Sequence, residues 1–268
     1  MEKIRLDILM AEKGMVESRS LAQKLIMAGQ VKVNGNLALK PSDTVSTIDE
    51  VTIDFGPRYV SRGGDKLEAA LHAFSQPNLA GKICADLGAS TGGFTDCMLQ
   101  HGAAKVYAVD VGQGILHWRL RNDPRVVVLE KCNARNLTSL PEKIDLITAD
   151  LSFISSLVLL PVFHRLLDDD EGKVILLIKP QFEAGREEAA RGKGVIRDPK
   201  IHRQVLEKVI IGAREEGFSI LGLISSPLLG PKGNREFLLF LGVSGAGRAE
   251  FDVLIYDALR SGEEKDEK

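Results

Sequence analysis

No stretch of this sequence approaches the ~20 apolar residues of a membrane span, which excludes the ordinary helical membrane classes. Cysteine is sparse and badly spaced for chemistry. Cys84, Cys97 and Cys132 stand far apart with no C-x-x-C, so neither a disulfide framework nor a metal site is expected, and a reducing, cytoplasmic setting fits. The opening MEKIRLDILMAEKG carries acids and no apolar core, unlike a secretory signal. Net charge is −2, so any surface for nucleic acid must be a local patch. There is no internal repeat. What is present, 44% apolar and 27% charged residues, is the composition of an ordinary soluble protein. A length of 268 residues holds one large domain, or one large and one small.

One stretch organises the rest: ICADLGASTGGFTDCMLQHGAAKVYAVDVG, residues 83–112. An apolar run ends in Asp86, small residues fill Gly88 to Gly93, and apolar residues recur at Phe94, Met98 and Leu99 with helical spacing. A second apolar run ends in Asp110. The reading is strand, glycine turn, helix, strand ending in an acid, which is half of a nucleotide-binding α/β unit. A right-handed crossover brings the turn and Asp110 to one edge of the sheet. Gly88, Gly92 and Gly93, with Ser90 among them, let backbone approach a ligand, and Asp110 can accept ribose hydroxyls. The turn has neither the G-x-G-x-x-G spacing nor a P-loop lysine. Asp86 would repel a pyrophosphate but suits a cationic amino acid. S-adenosylmethionine has both an amino-acid end and a ribose. A glycine turn that serves only helix–strand packing is the plainer alternative.

Residues 1–54 read as a separate α+β module. IRLDILMAEKG is helical, Ser18 is an N-cap for a second helix closed by Gly29, and Asn34-Gly35 marks a hairpin. From Ser18 to Ser42 there are four bases, Arg19, Lys24, Lys32 and Lys40, and no acid, which suits RNA phosphates as well as a plain solvated face. FGPRYVSRGG, residues 55–64, reads as a linker, bounded at 55–63, whose Arg58 and Arg62 extend the basic track. DKLEAALHAF is an amphipathic helix with Lys66 on its first turn. After Asp110 the chain keeps alternating. A helix is expected over GILHWRLRN, a strand over RVVVLE followed by Asn133, a strand ending at Asp150, a helix despite Pro161, and a strand ending at Lys179. QFEAGREEAARGKGVIRDP reads as a long charged loop. A helix, a sixth strand and a seventh beginning at Glu236 follow, and the polar tail SGEEKDEK is expected to be disordered.

Two resemblances sharpen this reading. RLDILMAEKGMVESRSLAQKLIMAGQVKVNG resembles the S4 RNA-binding domain, which implies RNA contacts from Arg5, Arg19, Lys24, Lys32, Lys40, Arg58 and Arg62. YVSRGGDKLEAAL, DLGASTGGFTDCMLQHGAAKVYAVDVG, ADLSFIS, LLIKPQFE, KGVIRDP and SPLLGPKGNREFL resemble the TlyA family, over almost the whole chain. Proteins of that family are often labelled hemolysins and are ribosomal RNA ribose 2′-O-methyltransferases of the FtsJ type. The resemblance implies a Rossmann-like, seven-stranded methyltransferase domain over residues 64–246, a C-terminal segment over 247–268, and S-adenosylmethionine as cofactor. It implies a cytidine in the RNA of ribosomal subunits as substrate. It also implies a catalytic Lys66, Asp150, Lys179 and Glu236, with Asp86, Gly88, Ser90, Gly92, Gly93, Asp110, Asn133 and Asp150 around the cofactor.

Three other functions stand as alternatives to this reading. Base methyltransferases often carry an Asn/Asp-Pro-Pro-aromatic turn, and here the turn is Asp150-Leu151-Ser152-Phe153, without the prolines. An RNA-binding assembly factor without catalysis has no need of the intact glycines and tetrad. A pore-forming toxin requires a membrane-inserting segment, and none is visible in the sequence.

Overall fold

The protein is described here by a computed structural model, which covers residues 3–245, 247 and 250–266. The chain forms two compact units, Met1–Arg58 and Tyr59–Lys268.

In the first unit β1 (Lys3–Arg5) leads straight into α1 (Leu6–Glu12), and α2 (Arg19–Met27) follows. Ser18 caps α2, accepting from Leu21 N–H at 3.2 Å. β2 (Val31–Val33) and β3 (Asn36–Ala38) pair through the turn at Asn34 and Gly35, both at positive φ as such hairpins require. β4 (Thr44–Ser46) pairs with β1, and β5 (Val51–Ile53) with β2. Leu6, Leu9, Met10, Leu25, Ile26 and Val31 share one small core.

The second unit begins earlier than the expected linker allows. Tyr59 is 1% exposed and packs under the helix that starts at Gly63, so closely that a Cβ on Gly64 would lie 2.2 Å from its ring. That helix is α3 (Gly63–Ala73). β6 (Ile83–Leu87), α4 (Gly93–Gln100), β7 (Lys105–Val109), α5 (Trp118–Arg121), β8 (Val126–Leu129), β9 (Leu146–Ala149), α6 (Leu160–Leu166) and β10 (Lys173–Ile178) follow. Then come α7 (Pro180–Glu183), α8 (Arg186–Arg191), α9 (Pro199–Glu215), β11 (Ser219–Ser225), β12 (Phe237–Gly242) and α10 (Phe251–Asp266). The strands form one sheet in the order β11-β12-β10-β9-β6-β7-β8, with β12 antiparallel to both its neighbours and β6 to β10 parallel. Its central strands are buried, as a sheet covered by helices on both faces requires. One face packs against Leu67 and Leu71 of α3 and Phe94 and Met98 of α4. The other packs against Phe163 of α6, Leu206 and Ile210 of α9, and Ile255 of α10.

Three expectations need correction, and the helix expected despite Pro161 is present. The helix expected over residues 114–122 shrinks to the single turn of α5, because Gly112 to Leu116 are used in bringing the chain past Asp110. Pro161 is no obstacle in α6, since it stands in the first turn, where no N–H is needed. The charged loop after Lys179 contains α7 and α8. The polar tail is helical to Asp266, because Leu254, Ile255 and Ala258 are buried against the sheet and carry α10 onward. Burying a leucine or isoleucine contributes about 1.5–3 kcal/mol each, enough to order a helix whose end is polar. The expected boundary at residue 246 and the last two residues lie outside the described part.

Candidate active site

The carboxyl ends of β6, β7, β9 and β10 meet at two adjoining clefts of about 360 and 450 Å³. Gly88, Ser90 and Asp150 line both. The first cleft also has Arg62, Lys66, Asp86, Gly93, Lys179 and Glu236 on its walls. The second has Asp110, Asn133 and Phe153.

The four residues of the tetrad come together as two ion pairs. Lys66 Nζ lies 2.5 Å from Glu236 Oε2, and Lys179 Nζ lies 2.5 Å from Asp150 Oδ1. Lys179 also donates to Ser152 Oγ at 3.2 Å. Each position has a local cause. Lys66 is on the first turn of α3, Asp150 follows β9 directly, Lys179 is the N-cap of α7 just after β10, and Glu236 precedes β12. Glu236 is fully buried, and its Oε1 has no hydrogen-bond partner among the described residues. That oxygen lies against Gly230, where a Cβ would come within 2.0 Å of it.

The glycine turn works differently from the simplest expectation. A Cβ on Gly88 would lie 2.4 Å from the Asp150 carbonyl oxygen. On Gly92 it would lie 2.2 Å from Leu120, and on Gly93 2.3 Å from Ser61 Oγ. The protein's own packing therefore demands all three glycines, and Gly92 is not among the residues lining either cleft. Asp86 likewise has partners within the chain. It is fully buried and accepts from Thr95 N–H at 2.9 Å, Thr95 Oγ1 at 2.7 Å and Thr148 Oγ1 at 3.3 Å. Burial pushes its pKa up to about 7; the Thr95 hydroxyl opposes this, and the charge of Asp150 adds to it. Its first task is to tie the start of α4 to the end of β6. Burial pushes the Cys84 thiol up to about 12, which fits an inert core residue.

Asp110 accepts from Ser90 N–H at 2.8 Å and Gly112 N–H at 2.7 Å, one bond on each oxygen. A carboxylate has about four acceptor positions, so each oxygen can still accept from a ribose hydroxyl. Asn133 turns its carbonyl to Arg135 N–H at 3.1 Å, which leaves its amide donors for the cleft. A cofactor with a ribose, a base and an amino-acid end fits this donor and acceptor set across the two clefts.

The RNA candidates divide. Lys24, Lys32 and Lys40 are exposed on the first unit, as is Arg58. Arg62 is exposed on the wall of the first cleft. Arg5 and Arg19 both bind Asp7, a buried acid that lay outside the stretch in which the bases were counted. In the sequence Ser152 and Phe153 stand out only as part of a turn without prolines, and the structure adds them to the site. Phe153 is 90% exposed at φ +65°, with its ring 5.0 Å from that of Phe182. The signal available was an aromatic placed three residues after the acid that ends a strand.

Sheet order, glycine turn, second-strand acid and paired lysines and carboxylates together define a Rossmann-like methyltransferase. Residues 59–243 match the FtsJ-like methyltransferase family, and residues 4–51 match the S4 domain. The chain belongs to the FtsJ-like methyltransferase family. It is 44% identical over 243 residues to a Mycobacterium tuberculosis protein named 16S/23S rRNA (cytidine-2′-O)-methyltransferase TlyA, covering 89% of this chain and 90% of that one. It is 42% identical over 238 residues to a Brachyspira hyodysenteriae protein named Hemolysin A, covering 88% of this chain and 98% of that one. A solved Streptococcus thermophilus structure, described as a candidate hemolysin, superposes with a TM-score of 0.73 at 40% identity, covering the whole of both chains. No helix among the described residues is long and apolar enough to cross a membrane, and no group of three or more His, Cys, Asp or Glu among them is placed to hold a metal.

Proposed function

We propose that this enzyme uses S-adenosylmethionine to methylate a ribose 2′-oxygen of ribosomal RNA, at a cytidine, within ribosomal subunits in the cytoplasm. The observation that carries the reading is the double pairing on one cleft, Lys66 with Glu236 and Lys179 with Asp150. The S4 match supports an RNA substrate, and the relative named for cytidine-2′-O methylation supports the ribose and the nucleotide.

The cofactor supplies an electrophilic methyl group on a sulfonium. Asp110 would hold the ribose hydroxyls and Asn133 the adenine edge, while the backbone from Gly88 to Ser90 turns the chain around the space between the two clefts. Lys179 and Asp150 flank that space, and the pair takes up the proton as the 2′-hydroxyl becomes a nucleophile. Two lysines at the same edge also suit the charge that develops on an alkoxide. Alignment of oxygen and methyl can lower a barrier by about 7–11 kcal/mol, and general base catalysis adds roughly 10²–10⁴-fold. Beyond Lys179, Phe153 and Phe182 offer a base an aromatic face, with Gln181, Lys232 and Asn234 around it.

The test is product analysis. Ribosomal subunits from cells lacking the gene are incubated with the protein and labelled cofactor, and the RNA is digested to nucleosides. Label in 2′-O-methylcytidine supports the reading. Label on a base would replace it with base methylation, and no label in either subunit would count against a ribosomal substrate.

A further inference from the structure

Asp7 is a carboxylate with three side-chain partners and no exposure at all. It stands in the first turn of α1, facing the start of α2. Arg5 donates to it twice, from Nε at 3.0 Å and from Nη2 at 3.1 Å. Arg19 donates from Nε at 2.8 Å, and Gln23 from Nε2 at 2.7 Å. Arg5 Nη2, Arg19 Nε and Gln23 Nε2 all converge on the same oxygen, Oδ2. The two guanidinium groups therefore flank one point in space.

The arginines are fixed at one end and open at the other. Their side chains are 42% and 51% exposed, while the acid between them is buried. A guanidinium has five N–H donors. Arg5 uses two of them on Asp7, through Nε and Nη2, and Arg19 uses one, through Nε, so Arg5 Nη1 and both terminal nitrogens of Arg19 make no hydrogen bond among the described residues. Two cations against one anion leave a net positive charge at the opening. A planar, pre-aimed guanidinium pair matches the geometry of a phosphate oxyanion, and holding it in advance removes much of the ordering cost of binding.

We propose that Asp7 is a positioning residue that aims Arg5 and Arg19 as a two-guanidinium clamp for one backbone phosphate of the RNA. This rests on the reading of the first unit as an RNA-binding domain. It makes a prediction against simple charge counting: removing a negative charge from a basic surface weakens its hold on RNA.

The full chain and purified ribosomal RNA serve as the probe, with affinity measured by filter binding at several salt concentrations. Asp7→Asn is expected to weaken binding about tenfold and to lower the slope of log affinity against log salt by about one, as one phosphate contact is lost. Arg19→Lys keeps the charge and the ion pair but loses the fork, and the same direction is expected. Thermal melting monitors the fold of each variant. Equal or tighter binding by a folded Asp7→Asn protein overturns the proposal. If that variant does not fold, unchanged affinity and salt slope in Arg19→Lys overturn it equally. The reading of the unit itself is tested by Lys24→Glu, Lys32→Glu and Lys40→Glu together. Full RNA affinity in that protein removes the RNA-binding assignment and the clamp with it. Loss there beside unchanged Asp7→Asn and Arg19→Lys proteins rejects the clamp alone.

Discussion

Lys66 Nζ meets Glu236 Oε2 at 2.5 Å across 170 residues of chain, with Glu236 fully buried and Lys66 only 8% exposed. The pair joins the first turn of α3 to the start of β12, opposite ends of the second unit's sequence. Removing one partner leaves a buried charge uncompensated, at a cost of about 3–5 kcal/mol. Lys66→Met should therefore lower stability by about that amount in denaturant unfolding. Lys66→Met with Glu236→Leu should recover most of it, because apolar pairs often replace buried ion pairs without loss. Methyl transfer should fail in both proteins. Recovery of activity along with stability would show that the pair is structural only.

Asp86 gives the fold a pH dependence of unusual sign for a carboxylate. Its pKa is about 7 in the folded protein against 3.8 ordinarily, so between those values the folded state holds the proton that the unfolded state has lost. Folding stability from this group is thus greatest below about pH 4 and declines as pH rises towards 7. Asp86→Asn keeps an acceptor for the Thr95 N–H and cannot ionise. The variant should gain stability relative to wild type as pH rises from about 5 to 8, measured by urea midpoints. A constant difference across that range would mean that Asp86 is already ionised when buried.

The glycines separate packing from chemistry. Gly92 is at φ +97° with Leu120 where a Cβ would go, and Gly88 is at φ +89° with the Asp150 carbonyl there. Gly92→Ala should cost about 1–3 kcal/mol of stability, as overpacking does, while the folded fraction keeps its turnover. Gly88→Ala should push on the residue that holds Lys179, and misplacement of about 1 Å can cost 10²-fold in rate. The comparison to make is rate per folded molecule. Equal rates in the two variants would show that Asp150 is not positioned through Gly88.

Much of this was legible before any coordinates. Alternation of apolar runs marked the strands, and acids or lysines ending those runs marked the edge: Asp86, Asp110, Asp150 and Lys179 all lie there. Side-chain pairing was not legible, because partners such as Lys66 and Glu236 are distant in sequence and only sheet order brings them together. The glycine turn is visible in the sequence, yet its packing against Leu120, Ser61 and the Asp150 carbonyl is not, since no local pattern encodes those contacts. The role of Asp7 is not legible in the acid-free stretch from Ser18 to Ser42, because β1 and α1 deliver this acid to Arg19 from before that stretch. The polar composition of the tail hides its order, because the helix that runs to Asp266 is anchored upstream by Leu254, Ile255 and Ala258.

The central claim is that the methyl group goes to a 2′-oxygen under the control of Lys179. A 2′-O-methylated nucleotide cannot attack its own phosphate, so alkali leaves that one linkage intact. The measurement is a partial alkaline ladder of end-labelled ribosomal RNA treated with wild-type protein or with Lys179→Ala, beside cofactor binding by calorimetry. A single missing rung with wild type, none missing with Lys179→Ala, and cofactor binding retained in both is the predicted result. An unbroken ladder from wild-type protein that has nonetheless transferred its methyl group to the RNA would contradict the account.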